Sequence, residues 1–472
     1  MLVRRSQGKI LFYIVPLLIS SFLFGSFIRG VYAMTTEEEK KLGKKVLLEI
    51  KKEANFVGDL NVQAFIDKVG YSIVDRAGPT PFEFKFYVIN APDPNAFAIP
   101  GGYIFVTTGL LVLAENEQEL AGVLSHEIAH VTQRHVAQMI EKSKRLNIAS
   151  IVAILAAMLA GRGGAGSQAG AAMAMATAGA LELKYTREIE ADADLNGLHY
   201  LIKAGYDPNG MINFFKRIQK VSLEMAPNIP AYLLDHPALE NRISLLENIL
   251  LMGPKPTGPF KTFGNFNRIR NVAFVEEREP HVAITYFQSL LNANSQNLEG
   301  HYGLGLAYRK MGRFDKSMEV LQHAHSLAPK DVDVSRELGI VYFLSGKVDQ
   351  AIENLEAIRS TAGEGQDNDL MTLYYLGRGY QEKGEFAKAL PFLLKVQKEE
   401  PEFIDVYHDL GSVYGRTGQK GLFHFYFGKY FKLRGEKNNA LLHFRTAMDW
   451  LERGSSEREE VQREIKELTL RR

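Results

Sequence analysis

Three histidines and a glutamate interrupt the otherwise apolar stretch VLSHEIAHVTQRH at residues 123–135. His126 and His130 are four apart, so an α-helix stacks them on one face, where two imidazoles can reach a single ion. Glu127 lies one step round the helix, too far to be a natural third ligand but close enough to hold a water beside that ion. This is the H-E-x-x-H spacing, in which the histidines bind zinc and the glutamate acts as general base for hydrolysis. The competing reading is a half-exposed helix whose histidines do no chemistry.

Catalytic zinc takes three protein ligands and keeps one position open. His135 is the nearest candidate for the third, but it fails on spacing. The metzincin pattern needs glycine seven residues after the first histidine and a third histidine ten after it, where this chain has Gln133 and Val136. His135 comes one residue early and points to a different helix face from His130, so a surface or supporting role is expected of it. A better candidate lies sixty residues beyond His130, in YTREIEADADLNG (185–197). Glu190 and Asp194 share a helix face. Glu190 can bind zinc, and Asp194 can orient a ligand histidine through its free ring N–H. Arg187, one turn before Glu190, can hold a carboxylate in place. Taken alone, the same run also reads as a solvated acidic helix.

The strings HEIAH, YTREIEADAD and LLDHPALENRI (233–243) together resemble the gluzincin family that includes the CaaX prenyl proteases and HtpX, and NAFAIPGGYIFVTTGLL (95–111) resembles the segment that precedes its active-site helix. The resemblance covers roughly residues 40–250 and points to the soluble, repeat-bearing members, because the prenyl proteases carry many membrane spans that this chain lacks. It implies one Zn2+ per chain, held by His126, His130 and Glu190, with Glu127 as base and Asp194 as support. His236, in DHPALENR, has three readings. It is an oxyanion donor with Arg242 nearby, a latch in zinc's open position, or a loop histidine of no consequence.

These groups need elements to position them. Leu120, Val123, Leu124 and Ile128 give the motif helix an apolar stripe, and ENEQE (115–119) puts acidic residues in its first turn. The stretch YIFVTT (103–108) alternates well enough for a sheet edge, where an extended peptide can add as a further strand. Tyr103, Ile104, Phe105 and Val106 are therefore the expected substrate-binding residues, with a plain core strand as the other reading. Residues 147–180 are apolar and rich in glycine and alanine, but Ile148–Ala160 is short for a membrane span and the remainder inserts weakly. A helical hairpin beside the site is expected there, acting as a lid or as core filling.

From about residue 265 the sequence becomes periodic. Leu304-Gly305, Tyr308 and Gly312 recur as Leu338-Gly339, Tyr342 and Gly346, as Leu376-Gly377, Tyr380 and Gly384, and as Leu410-Gly411, Tyr414 and Gly418. The first glycines are 34, 38 and 34 apart, the tetratricopeptide period, in which small residues let paired helices approach. Ala351 and Ala389 take the expected alanine position, Ser317 replaces it in the first clear repeat, and Phe423 departs from it in the last. The four extra residues before Gly377 fit a loop at 360–369. Ala283 marks a degenerate repeat before these, and residues 435–444 resemble the second helix of a final pair. The fold class expected is α+β: a mostly helical gluzincin-type zinc peptidase domain with a small β-sheet, then an all-α tetratricopeptide solenoid. The expected divisions are a signal at 1–33, the peptidase at 34–252, a linker at 253–265, the array at 266–452 and a charged, solvated helix at 453–472.

Net charge is +1 over 472 residues, so there is no electrostatic case for nucleic acid as a partner. The absence of cysteine excludes disulfides and a cysteine-linked lipid. Arg4, Arg5 and Lys9 precede an apolar run from Ile10 to Phe27, and Val31 and Ala33 supply the small residues of an export cleavage site. The expected location is the periplasm. Residues 10–27 would anchor an uncleaved chain, and peripheral membrane association goes with that reading. The expected partners are unfolded or misassembled protein substrates, outer-membrane proteins among them, and outer-membrane assembly machinery or another protein docked on the array. The rival reading is a periplasmic chaperone or scaffold working through the array with a vestigial metal site. Intact His126, Glu127, His130, Glu190 and Asp194 argue against it.

Overall fold

Residues 34–142, 187–224, 230–253, 259–361 and 369–470 are described by the computed structural model. The expected signal (1–33), the Gly/Ala-rich segment (147–180), the middle of the linker (254–258) and most of the inter-repeat loop (362–368) lie outside the described residues. Among the described residues, no helix is long and apolar enough to cross a membrane.

Two helices open the described chain. α1 (Thr36–Glu53) starts on a capping box in which Thr35 and Glu38 satisfy each other's backbone N–H, and α2 (Leu60–Ala77) starts on Asp59, whose carboxylate accepts from Asn61 N and Val62 N. A three-stranded sheet follows, with β1 (Lys85–Ile89), β2 (Ala96–Ile99) and β3 (Tyr103–Thr107) in the order β1-β3-β2. β3 runs parallel to β1 and antiparallel to β2. This corrects the edge-strand reading of Tyr103, Ile104, Phe105 and Val106. Both sides of β3 are hydrogen-bonded to neighbours, so no peptide can add to it. Its alternation reflected side-chain type rather than solvent, since Ile104, Phe105 and Val106 are all buried.

The chain then enters α3 (Thr108–Leu113) and α4 (Glu117–Thr132), the helix that carries the histidine motif. Asn116 caps α4 by accepting from Glu119 N. Leu120, Val123, Leu124 and Ile128 are fully buried, as expected, and so are His126, Glu127 and His130. The helix is the centre of the domain, with neighbours all round. α5 (His135–Lys142) follows directly. α6 (Arg187–Lys203) and α7 (Asn209–Glu224) pack along α4. Gly197 permits the first of these contacts: a Cβ there would stand 3.1 Å from the Cα of His126 and 3.0 Å from the carbonyl oxygen of Ser125. α8 (Ala231–Asp235) and α9 (Leu239–Met252) then return the chain to the same place.

Behind this domain, α10 (Phe266–Glu277) and α11 (Pro280–Ala293) lead into four helix pairs. These are α12 (Leu298–Lys310) with α13 (Phe314–Leu327) and α14 (Val332–Leu344) with α15 (Val348–Thr361), then α16 (Leu370–Glu382) with α17 (Phe386–Glu399) and α18 (Ile404–Arg416) with α19 (Lys420–Leu433). Gly305 on α12 shows why the period holds glycine: a Cβ would come within 2.6 Å of Leu321 on α13. The unusual Phe423 is accommodated by a second glycine, since a Cβ at Gly415 would meet its ring at 2.8 Å. α20 (Lys437–Trp450) packs on α19, and α21 (Ser456–Leu470) closes the array. α21 is not wholly solvated. Val461 and Leu468 are buried in the array's core, and Lys429 pairs with Glu460 beside them.

The two halves share contacts. One apolar cluster of buried residues runs from Val62 through Phe266 to Val341. Leu60, at the start of α2, lies in a second cluster with Phe343, Tyr374 and Tyr375 of the array. Glu402, in the turn before α18, pairs with Lys51 at 2.6 Å and Lys85 at 3.4 Å and accepts from the Tyr87 hydroxyl at 3.3 Å. Residues 261–263 are likewise held: Glu117 accepts from Phe263 N at 2.9 Å and Thr262 Oγ1 at 2.7 Å, and Gln118 Nε2 donates to the Lys261 carbonyl at 2.8 Å.

Candidate metal centre

α4 brings His126 and His130 onto one face, and their Nε2 atoms lie 3.0 Å apart. α6 lies alongside and presents Glu190, whose carboxylate is 3.6 Å from His126 Nε2 and 3.4 Å from His130 Nε2. A sharp turn between α8 and α9 supplies a fourth group. Ala238 adopts φ 65°, a left-handed conformation that costs a non-glycine residue free energy, and the turn leaves His236 pointing inward. His236 Nδ1 stands 3.2 Å from both oxygens of Glu190 and 3.2 Å from His126 Nε2. One ligand atom from each of His126, His130, Glu190 and His236 falls within 4.8 Å of every other, and all four residues are buried.

The donor set fits zinc. Two ligand atoms about 2.1 Å from one tetrahedral ion lie about 3.4 Å apart, close to the separations above. The outward ring nitrogen of His126 is engaged, as a metal ligand's should be: Nδ1 donates to Asp194 Oδ1 at 2.9 Å. Glu127 stands beside the cluster with both carboxylate oxygens buried and no hydrogen bond to either among the described residues. The nearest charged group facing it is His236, whose Nε2 lies 3.5 Å from Oε1, and a water or a substrate N–H would supply the hydrogen bond that this ion pair does not.

Arg242, on α9, holds the acidic side together. It donates from Nε and Nη2 to the two oxygens of Asp194, each at 2.7 Å, and its Nη1 pairs with Glu190. The sequence offered Arg187 for this task. Arg187 instead lies exposed at the first position of α6. Arg242 had appeared only as a neighbour of His236. The signal that could have found it is the need of two buried carboxylates for one buried cation.

Burial sets the electrostatics. Desolvation pushes the Glu127 carboxyl up to about 8, with His236 opposing and Glu190 adding to the shift. Burial opposes charge on His236, but Glu190 and Glu127 outweigh it and lift the imidazole to about 9. Burial lowers His126 and His130, which suits neutral imidazoles offering lone pairs inward. Burial would raise Asp194, but Arg242 and His126 overcome it and hold the carboxyl below its usual range.

The structure thus brings together His126, Glu127, His130, Glu190, Asp194 and His236, and leaves Arg187 and the central strand Tyr103–Val106 apart from them. Residues 61–250 match the model of peptidase family M48, and residues 298–331 match a tetratricopeptide repeat model. A Vibrio cholerae protein is 32% identical over 294 residues, which is 61% of this chain and 60% of that one. A Yersinia pestis protein named beta-barrel assembly-enhancing protease is 29% identical over 304 residues, 63% of this chain and 62% of its own. The Schizosaccharomyces pombe mitochondrial metalloendopeptidase OMA1 is 31% identical over 186 residues, 39% of this chain and 52% of its own. The chain spans about three fifths of the length of these bacterial relatives.

Proposed function

We propose that this chain, an M48 peptidase domain ahead of tetratricopeptide repeats, is a zinc metalloendopeptidase of the bacterial cell envelope. The observation that carries the reading is the buried convergence of His126, His130 and Glu190 beside a buried Glu127 whose two oxygens accept no hydrogen bond among the described residues. His126, His130 and Glu190 would hold one zinc ion. When bound, the ion would supply Lewis-acid polarisation of a peptide carbonyl and a lowered pKa for water. Glu127 takes the proton from the attacking water as its oxygen bonds to the carbonyl carbon, and passes it to the leaving nitrogen as the C–N bond breaks. Asp194 fixes the tautomer and ring direction of His126. Arg242 balances Glu190 and Asp194, so that neither carboxylate is buried without a counter-charge.

Of the three readings of His236, we favour the latch. Its Nδ1 is the fourth donor of the cluster, and no member of that cluster is more than marginally exposed. A fourth protein ligand would fill the position that catalysis leaves open. An active form therefore has His236 displaced. With β3 interior, an extended substrate would pair along β2, the sheet edge that packs against α4.

The substrates proposed are misfolded or misassembled proteins of the envelope, outer-membrane proteins among them. The array would dock them or their assembly machinery and raise their effective concentration at the site. The periplasmic location rests on the residues before Met34 and on the names of the bacterial relatives. Full-length protein should carry one zinc per chain and digest casein, with activity lost on chelation and restored by zinc. A zinc-loaded chain that cut no protein, even with His236→Ala, would leave the scaffold reading in its place.

A further inference from the structure

We infer that His135 and Asp192 form a relay that positions His130 for its metal, an inference that rests on the metal-centre reading. His135 failed as a ligand on spacing, yet it is only 4% exposed. Its Nδ1 lies 3.0 Å from Nδ1 of His130, and its Nε2 lies 3.1 Å from Asp192 Oδ2.

The directions of these bonds follow from the site. His130 turns Nε2 inward to Glu190 and His126, so that atom must be the lone-pair nitrogen when it serves a metal. The proton of a neutral His130 then sits on Nδ1 and is donated to His135. His135 must accept at Nδ1, which places its own proton on Nε2, facing Asp192. Every member has one role: the Asp192 carboxylate accepts from His135, and His135 accepts from His130. The two ligand histidines of α4 are thus oriented by different devices, His126 directly by Asp194 and His130 through an intervening imidazole. Ligand orientation by an acceptor on the second nitrogen raises basicity and fixes the ring.

The backbone is bent to make this contact. A continuing helix would carry His135 away from His130, because five residues advance it by about 500°, which is about 140° past a full turn, and by about 7.5 Å of rise. Arg134 instead adopts φ 58°, left-handed for a non-glycine residue, and ends α4 there. Such a conformation costs about 1–3 kcal/mol and persists only where its surroundings enforce it. Arg134 is enforced from α1: its Nε donates to the buried Glu39 at 2.7 Å, and its Nη2 donates to the Met34 carbonyl. The bend returns the His135 ring to within 5.0 Å of the His130 ring. At the far end Asp192 is half exposed, so its charge stays solvated.

The test is zinc affinity of the full chain by chelator competition, with the absorption spectrum of the cobalt-substituted form as a second readout. His135→Phe should weaken zinc binding about 10–100-fold. His135→Gln should recover most of that, because its side-chain carbonyl can accept from His130 Nδ1–H. Asp192→Ala changes only a half-exposed side chain and should show part of the same loss, with a shifted cobalt spectrum and an unchanged melting temperature of the metal-free protein. If His135→Phe and Asp192→Ala bound zinc as tightly as wild type, or if His135→Gln were as weak as His135→Phe, the relay would be overturned. If wild type itself took up no zinc, the metal-centre reading would fall and the relay with it, a result distinct from the others.

Discussion

His236 Nε2 stands 3.5 Å from Glu127 Oε1, so the histidine of the α8–α9 turn faces the proposed general base while its other nitrogen faces Glu190. One imidazole thereby occupies the space between the group that would move the proton and the group that would hold the metal. An attacking water and a scissile carbonyl need that space. Removing the ring with His236→Ala should therefore raise casein cleavage by the zinc-loaded chain. A fall of about 10²-fold would instead make His236 an oxyanion donor, and no change would leave it without a role.

Glu127→Gln removes the proton acceptor and none of the ligands. Cleavage should drop by about 10²–10⁴-fold while the zinc content stays at that of wild type. A variant that lost its zinc together with its activity would show Glu127 to be part of the binding set.

Arg242 is 3% exposed and balances two buried carboxylates. Arg242→Met should destabilise the protein by about 3–5 kcal/mol in denaturant titration, since it strands buried charge. Arg187→Ala should leave stability and zinc binding within error of wild type. Equal effects of the two substitutions would contradict the assignment of the counter-charge to Arg242.

The contact between peptidase and array should be sensitive to pH. Burial raises Asp67 to about 6, and burial with Asp67 and Glu402 raises Glu400 to about 7. An acid held protonated in the fold and ionised when unfolded loses stability as pH rises, from the unfolded pKa near 4 to the folded value. Above about 7 the cost is complete. Glu402 works the other way. Burial would raise it, but Lys51 and Lys85 keep it below its usual range, so its contribution is lost as pH falls through that low value. Thermal melts should thus show stability declining between about pH 4 and pH 7. Glu400→Gln should flatten that decline and raise the melting temperature at pH 8. A melting profile unchanged by Glu400→Gln would remove Glu400 as its source.

Much of this protein is written in local spacing. Histidines four positions apart lie on one helix face wherever the helix lies, and a 34-residue period with glycine at the packing position specifies paired helices before any partner is known. Glu190 and Asp194 share a face for the same reason. For that reason the residues of the candidate metal site and the repeat architecture could be read from the sequence alone. The tertiary structure decided what depends on neighbours distant in sequence. Alternation along residues 103–107 is the same for an edge strand and a central one, and only pairing with both β1 and β2 makes β3 central. Arg187 and Arg242 were equal as cations. Which one meets Asp194 depends on the left-handed turn at Ala238 and the packing of α9 on α6. His135 pointed away on an ideal helix, and the bend at Arg134, held by Glu39 from α1, turned it back to His130. Periodicity is a property of successive residues, whereas each of these choices is made by side chains that meet only when the chain has folded.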